Sequence, residues 1–406
     1  MALLDLFVLA SLPVVKVLLI TAIGSVLALE RIDILGENAR HHLNKVVFYV
    51  FNPSLVAGNL AKTVTFESFI TLWFMPVNIL MTFIIGSVLG CIIVKAAGVR
   101  NNLKGLVIGA CSAGNLGGML IILVPAMCKE KGNPFGETDV CETYALSYAS
   151  LSLAIGAVYL WLYVYNIVRV SVGEAAGETD ADKEPLIPSV ADHGLINSEE
   201  YNPVNCSSTS LMIPIVPGQI SLASRVIHFL RTLLLEKINI KAVFAPSTIA
   251  AIVGFVIGMN SSIRNLMIGN DAPLHIVTDS AFMLGDAAIP TVTIIVGANL
   301  LQGLKGTGIQ RRVVIGIVIA RYIILPLSGI LIVKGAIQVG FVPPNNKLFV
   351  FLLLLQHAMP PAMNLGTMMQ LFGAGKSECS VIMLWTYASA PVFLTLWSTI
   401  FLWIVT

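Results

Sequence analysis

Ten apolar stretches dominate this sequence and restrict its fold more than any other feature. Most are long enough to cross a lipid bilayer as a helix, which takes about 20 residues. Only 11% of the residues are charged, about half the usual fraction in a soluble domain. Because backbone in lipid must pair its polar groups within the protein, the stretches predict an all-α membrane protein with ten transmembrane helices. They lie at about residues 9–29, 44–61, 68–94, 103–127, 143–168, 242–260, 274–301, 313–337, 347–372 and 379–404.

The stretches fall into two groups of five on either side of a polar segment. The groups predict one five-helix repeat at residues 1–169 and a second at residues 242–406. Residues 170–224 are acidic and rich in Gly, Ser and Pro, a composition that cannot bury a core, so we expect a disordered linker. Residues 225–241 alternate apolar and basic side chains at helical spacing, which predicts an amphipathic helix at the membrane surface.

Basic residues set the predicted orientation. With the N-terminus outside the cytosol, 16 Lys and Arg residues fall in cytosolic loops and six in loops on the other side. Cytosolic loops carry the excess of positive charge in membrane proteins, so both termini are predicted to be non-cytosolic and the linker cytosolic. Five spans in each half make the second half enter from the opposite side, so a repeat between the halves is inverted.

Short motifs recur in the same order in the two halves. Asn-Leu-Gly occupies residues 115–117 in the fourth stretch and 364–366 in the ninth, and Tyr-Ala-Ser occupies 148–150 in the fifth and 387–389 in the tenth. Weaker matches join the second stretch to the seventh and the third to the eighth. Several matches in the correct order indicate an internal inverted repeat.

Two of the stretches are predicted to break at their centres. Gln356–Gly366 contains Pro360 and Pro361, which cannot donate a backbone hydrogen bond and clash with the preceding helical turn. Cys111–Gly117 is the matching segment of the first half. Broken backbone at membrane depth is tolerated where it is packed in protein or lines a cavity, so helices four and nine are predicted to cross there and form a site.

The predicted crossing favours a small organic anion. The half-helices that follow the breaks aim free N–H groups and a positive dipole end at the crossing. Asn115 and Asn364 would donate hydrogen bonds to a carboxylate without a fixed charge that traps it, with Gly114 and Gly117 beside them. The alternative is that the two amides only satisfy the opened backbone or bind each other.

Other polar residues within the stretches are further candidates. Gln356 and His357 precede the second break, and His357 either carries a proton or is a packed neutral imidazole. Asp286 is a candidate for ion or proton coupling. The hydroxyl-bearing candidates for the cavity wall are Ser54, Tyr148, Ser150 and Tyr387, with helix packing as the alternative role of the serines.

Two basic residues also fall inside stretches. Lys16 and Arg321 are predicted to extend toward the membrane surface or to pair with Asp279 or Asp286.

The cysteines and the net charge exclude several classes of function. The six cysteines show no CxxC spacing, so no metal site or cofactor is expected. Cys128 and Cys141 flank one short loop, and two free thiols are favoured over a bridge. A net charge of +2 gives no reason to expect a nucleic-acid partner.

The whole pattern resembles the plant PIN-likes, a family related to the PIN auxin efflux carriers and more distantly to the bile acid sodium symporters. The resemblance is carried by the two groups of five spans, the acidic linker and the breaks at residues 111–118 and 356–366. It implies an auxin transport facilitator of the endoplasmic reticulum that moves indole-3-acetate from cytosol to lumen. It also implies a crossing transport domain that moves against a scaffold as an elevator, with Asn115 at the auxin carboxylate. The partners expected are this carboxylate, the lipid bilayer and a second copy of the chain in a homodimer.

Three other functions are alternatives. A sodium-coupled organic-anion symporter needs acidic groups at its ion sites, and the crossing has amides only. An intramembrane aspartyl hydrolase would use Asp279 and Asp286, which are about 10 Å apart along one helix and too far apart to share a proton. An auxin-binding membrane sensor that does not transport is the third.

Overall fold

The computed structural model describes residues 3–63, 72–130, 132–176, 246–269, 271–305 and 308–406. These residues form seventeen α-helices and no strand, apart from one isolated bridge between Gly114 and Pro361. In chain order the helices are α1 Leu3–Leu27, α2 Glu37–Val46, α3 Asn52–Thr63, α4 Phe74–Ala97, α5 Asn101–Ser112, α6 Gly118–Cys128, α7 Thr138–Tyr159, α8 Tyr165–Ala176, α9 Pro246–Met259, α10 Ser261–Met267, α11 His275–Asp286, α12 Ala288–Lys305, α13 Arg311–Ile319, α14 Leu325–Val339, α15 Lys347–Gln356, α16 Asn364–Leu371 and α17 Lys376–Val405.

Three π-helical turns join neighbouring helices into longer runs. Val47–Phe51 connects α2 to α3, Leu160–Val164 connects α7 to α8, and Ala320–Ile324 connects α13 to α14. A π turn inserts one residue into the helical repeat and rotates the side chains that follow it, and such turns are frequent at functional sites. The third one carries Arg321.

Apolar helices make the chain a multi-pass membrane protein. Among the described residues six helical runs are long and apolar enough to cross a bilayer, or seven if α9 and α10, bent by 102°, count as one span. The six are Ala10–Leu27, Phe74–Ala97, Thr138–Gly173, His275–Leu301, Arg311–Val339 and Lys376–Val405. The apolar helices α6 and α15 are shorter, because each is one half of a predicted span that breaks. Ten spans related by an inverted repeat remain a prediction.

The first helix of each half packs on the second predicted span of the other half. α1 contacts α12, where the backbones approach so closely that a Cβ atom on Gly24 would collide with the carbonyl of Ile294. α9 contacts α3, where a Cβ atom on Gly254 would lie 2.8 Å from the carbonyl oxygen of Ala57. Such reciprocal contacts are what an inverted pair of repeats predicts.

Cys128 and Cys141 form a disulfide, so the prediction of two free thiols was wrong. The loop is short, but it brings the end of α6 against the start of α7. The Cα atoms are 5.6 Å apart, within the range that a disulfide can bridge. An ion pair of 2.7 Å between Lys129 and Glu142 joins the same two helix ends.

The central part of the chain departs from its predicted boundary at one end. α8 continues to Ala176, past the predicted end of the first repeat at residue 169. The rest of the predicted linker and the predicted amphipathic helix at 225–241 lie outside the described residues.

Candidate functional site

The two breaks lie side by side and pair with each other. α5 ends at Ser112 and α6 begins at Gly118, whereas α15 ends at Gln356 and α16 begins at Asn364. The amide of Asn115 donates to the carbonyl oxygen of Pro360 at 2.7 Å, and the amide of Ala362 donates to Ala113 at 2.9 Å. Each break therefore satisfies backbone groups of the other, which makes the crossing stable away from water.

Arg321 holds the crossing from one side and was missed as a site residue. Its side chain is 1% exposed, and its Nη1 donates to the carbonyl of Cys111 at 3.1 Å while Nη2 donates to Pro360 at 3.0 Å. None of the three ion pairs among the described residues includes Arg321. The prediction that it extends to the surface or pairs with an aspartate was wrong, because two broken helices offer it carbonyl oxygens at the crossing itself.

Lys16 also departs from its predicted partners. Its amine pairs with Glu130 at 2.9 Å, near the disulfide, rather than with Asp279 or Asp286.

Gly114 leaves the space that the guanidinium occupies. A Cβ atom at this position would lie 2.5 Å from Nη2 of Arg321. Because that distance is shorter than a van der Waals contact, only glycine fits here without a shift of Arg321. The position of the Arg321 guanidinium therefore explains why residue 114 in the first break is a glycine.

Asn115 is oriented by a tyrosine from the last helix. Its Nδ2 donates to the hydroxyl of Tyr387 at 3.0 Å, and that hydroxyl donates to the carbonyl of Pro361 at 2.9 Å. The amide is 7% exposed and keeps a second N–H and its oxygen for other partners. The side-chain amide of Asn115 is therefore held in one orientation, and hydrogen bonds to the backbone do not use up its donors and its acceptor.

A cavity of about 570 Å³ lies against the crossing, within the size range of small-molecule sites. The predicted residues Gly114, Asn115, Gly117, Asn364 and Tyr387 all line it. The rest of the lining comes from α1, the α2–α3 run and α12, where aliphatic side chains alternate with polar ones such as Asn44, Asn52 and Asn299. Both parts of the lining therefore combine apolar surface with hydrogen-bonding groups.

Gln356 and His357 are buried behind the crossing and do not line the cavity. The amide of Asn78, on α4, donates to Oε1 of Gln356 at 2.8 Å and to the carbonyl of Leu353 at 3.0 Å. Its oxygen is 3.1 Å from Nε2 of His357, and Gln356 donates onward to Ser152 at 3.0 Å. Because Asn78 uses its amine on two acceptors, its oxygen accepts from His357, which sets the imidazole proton on Nε2.

The remaining predicted residues lie away from the cavity. Pro360 and Pro361 contribute their carbonyl oxygens to Arg321, Asn115 and Tyr387. Tyr148 accepts from Asn346 at 2.9 Å at the start of α15. Ser54 is half-buried, Ser150 is fully buried, and Asp286 is exposed at the end of α11.

Asn78 and Arg321 belong to the crossing and its surroundings but were not among the predicted site residues. Their only signal in the sequence is that each is a polar residue inside an apolar stretch.

The chain is similar to known transport proteins over its full length. Residues 9–398 match the family described as membrane transport protein. The protein PIN-LIKES 1 of Arabidopsis thaliana is 48% identical over 410 residues, covering 100% of this chain and 81% of the relative. PIN-LIKES 3 of the same plant is 46% identical over 99% of both chains, and PIN-LIKES 4 is 44% identical over 100% of both. Identity of this extent shows that the chain belongs to the membrane transport protein family and to the PIN-likes within it, and that it is a transporter rather than an enzyme.

Proposed function

We propose that this protein is a secondary carrier of small organic anions, with indole-3-acetate as its substrate, from the cytosol to the lumen of the endoplasmic reticulum. The observation that carries the proposal is Asn115, a buried amide that Tyr387 orients on the wall of a cavity beside two broken helices. A carboxylate accepts hydrogen bonds from such a donor, and the amide adds no net charge that would hold the anion permanently.

The electrostatics of the crossing support an anionic substrate. In the part of the chain that the structure describes, the buried guanidinium of Arg321 donates to carbonyl oxygens and has no acidic partner, and an unpaired buried charge is costly. Its guanidinium lies directly behind Gly114, which lines the cavity. An anion in the cavity offsets that charge at short range, where low dielectric makes the attraction strong.

The two walls of the cavity support an elevator mechanism built on two inverted five-helix repeats. In this mechanism spans three to five and eight to ten move as a transport domain against spans one, two, six and seven. One part of the cavity lining belongs to the first group, through α6, α16 and α17, and the other part to the second, through α1, α3 and α12. A substrate held by its carboxylate would travel with the first group and slide along the second.

The disulfide supports the proposed compartment. Cys128 and Cys141 lie in a loop that the distribution of basic residues assigns to the lumen. Disulfides persist in oxidising compartments such as that lumen and are rare in the cytosol.

Proton coupling through His357 is a further part of the proposal. His357 is buried within the proposed transport domain, and its Nδ1 has no hydrogen-bond partner among the described residues. Asp286 was a second candidate for coupling, but its exposed position at the end of α11 favours His357.

Uptake of radiolabelled indole-3-acetate into liposomes that contain the purified protein tests the function. The Asn115→Ala variant should lose most of the uptake, and Asn101→Ala, an exposed asparagine at the start of α5, serves as the matched control. Unchanged uptake by Asn115→Ala would refute the site. Uptake that requires sodium would favour the symporter, and binding without uptake would favour the sensor.

A further inference from the structure

One face of α17 lines the cavity, beginning at the first residue of the helix. The residues Lys376, Ser380, Met383 and Tyr387 all line it, and their spacing of four, three and four places them on one side of a helix. At 1.5 Å per residue, Lys376 and Tyr387 are about 16 Å apart along this face, which continues to Pro391 and Leu394. The part from Lys376 to Tyr387 leads from the start of α17 to the hydroxyl that orients Asn115 at the proposed carboxylate site.

Among the described residues, two charged side chains line the cavity. They are Lys376 and, on the opposite wall, Glu37 of α2. Both side chains are exposed, and we infer that the part of the cavity between them is its mouth. Both also fall in loops that the sequence assigns to the cytosol.

Among the described residues, no ion pair includes the amine of Lys376. Glu378, two residues further on, accepts from Arg100 at 3.1 Å and therefore does not neutralise Lys376. Ser380 donates its hydroxyl proton to the carbonyl of Lys376 at 3.0 Å, so it has no proton left for an anion. The amine of Lys376 is the cationic donor of this face.

We propose that Lys376 is a first binding site for the substrate carboxylate at the mouth of the cavity, which rests on the proposed function. Glu37 on the facing wall repels the carboxylate and directs it toward α17. The apolar part of the substrate then faces Val17 and Leu18 of α1, which line the cavity on the other side. The carboxylate reaches Asn115 by moving along α17.

Transport kinetics of the full-length protein in liposomes test this site. Lys376→Gln should raise the KM for indole-3-acetate about fivefold, as expected from loss of one exposed charge contact, and leave kcat nearly unchanged. Lys376→Arg should keep the wild-type KM, and Glu37→Gln should lower it. Added salt should raise the KM of the wild type but not of Lys376→Gln, because salt screens an exposed charge.

Lys347→Gln is the matched control, since Lys347 is also the exposed first residue of a helix, α15, but does not line the cavity. Binding of neutral indole-3-acetamide should not respond to Lys376→Gln.

If the wild type transports and Lys376→Gln behaves like Lys347→Gln, the site at Lys376 is refuted while the proposed function stands. If the wild type carries no indole-3-acetate, both are refuted. If Lys376→Gln folds poorly, an unchanged KM in Glu37→Gln refutes the charge arrangement at the mouth.

Discussion

Arg321 donates a hydrogen bond of 3.0 Å to the carbonyl oxygen of Pro360, across the point where two helices are interrupted. The same oxygen accepts from the amide of Asn115 at 2.7 Å. In an uninterrupted helix this carbonyl would pair with an amide one turn further on. The break releases it, and a cation and an amide from two other parts of the chain take the place of that partner.

Replacing Arg321 should weaken the whole crossing. Arg321→Met keeps much of the volume but leaves buried carbonyl oxygens short of donors, at about 1–3 kcal/mol for each unsatisfied group. Arg321→Lys keeps the charge but lacks the fork that reaches Cys111 and Pro360 together, so it should rescue stability only in part. Thermal unfolding in detergent measures the effect. The control is Arg312→Met, an exposed arginine on α13, and equal stability of the two methionine variants would contradict this role.

The fit between Gly114 and Arg321 gives a second prediction. In Gly114→Ala the new methyl group would meet Nη2 at 2.5 Å, so the melting temperature and the uptake of indole-3-acetate should both fall. Gly335→Ala is the matched control, because a Cβ atom there has no neighbour within 4 Å and the residue lies in α14, outside the cavity lining. Equal melting temperatures for the two variants would show that Arg321 has room to move.

The disulfide should contribute measurably to stability. Removing a bridge across 13 residues should cost about 2–4 kcal/mol, chiefly because the unfolded chain gains freedom. Cys128→Ser combined with Cys141→Ser should therefore lower the melting temperature, and a reductant should lower it in the wild type. Cys91→Ser, at a free cysteine, should change it little. A wild type that is insensitive to reductant would argue that the bridge is not formed.

The two breaks could be predicted from the sequence because prolines and glycines interrupt apolar stretches there. A helix cannot continue through these residues with all of its backbone hydrogen bonds intact. The structure places Asn115, Asn364 and Tyr387, three of the residues selected from the sequence, on the lining of one cavity, and their role in substrate binding stays a prediction. Reasoning from the sequence missed Arg321 and Asn78, because the partners of both lie in parts of the chain that only the fold brings together. It misassigned Cys128 and Cys141 for the same reason, since the distance across a loop depends on how two helix ends meet.

His357 gives a prediction about coupling. If its imidazole moves a proton in each cycle, an imposed pH gradient should drive uptake in the wild type but not in His357→Gln, which keeps a donor for Asn78 but cannot change its charge. Uptake down a gradient of indole-3-acetate alone should persist in this variant. His42→Gln, at an exposed histidine of α2, is the control. A wild type that is indifferent to the pH gradient would remove His357 from the mechanism.

The central claim is that a carboxylate binds at the crossing, and a structure with bound indole-3-acetate at saturating concentration tests it most directly. Ligand density should lie in the cavity between Asn115 and Asn364, with a carboxylate oxygen about 3 Å from Nδ2 of Asn115. Density in another place, or a ligand whose carboxylate points away from both amides, would contradict binding at the crossing.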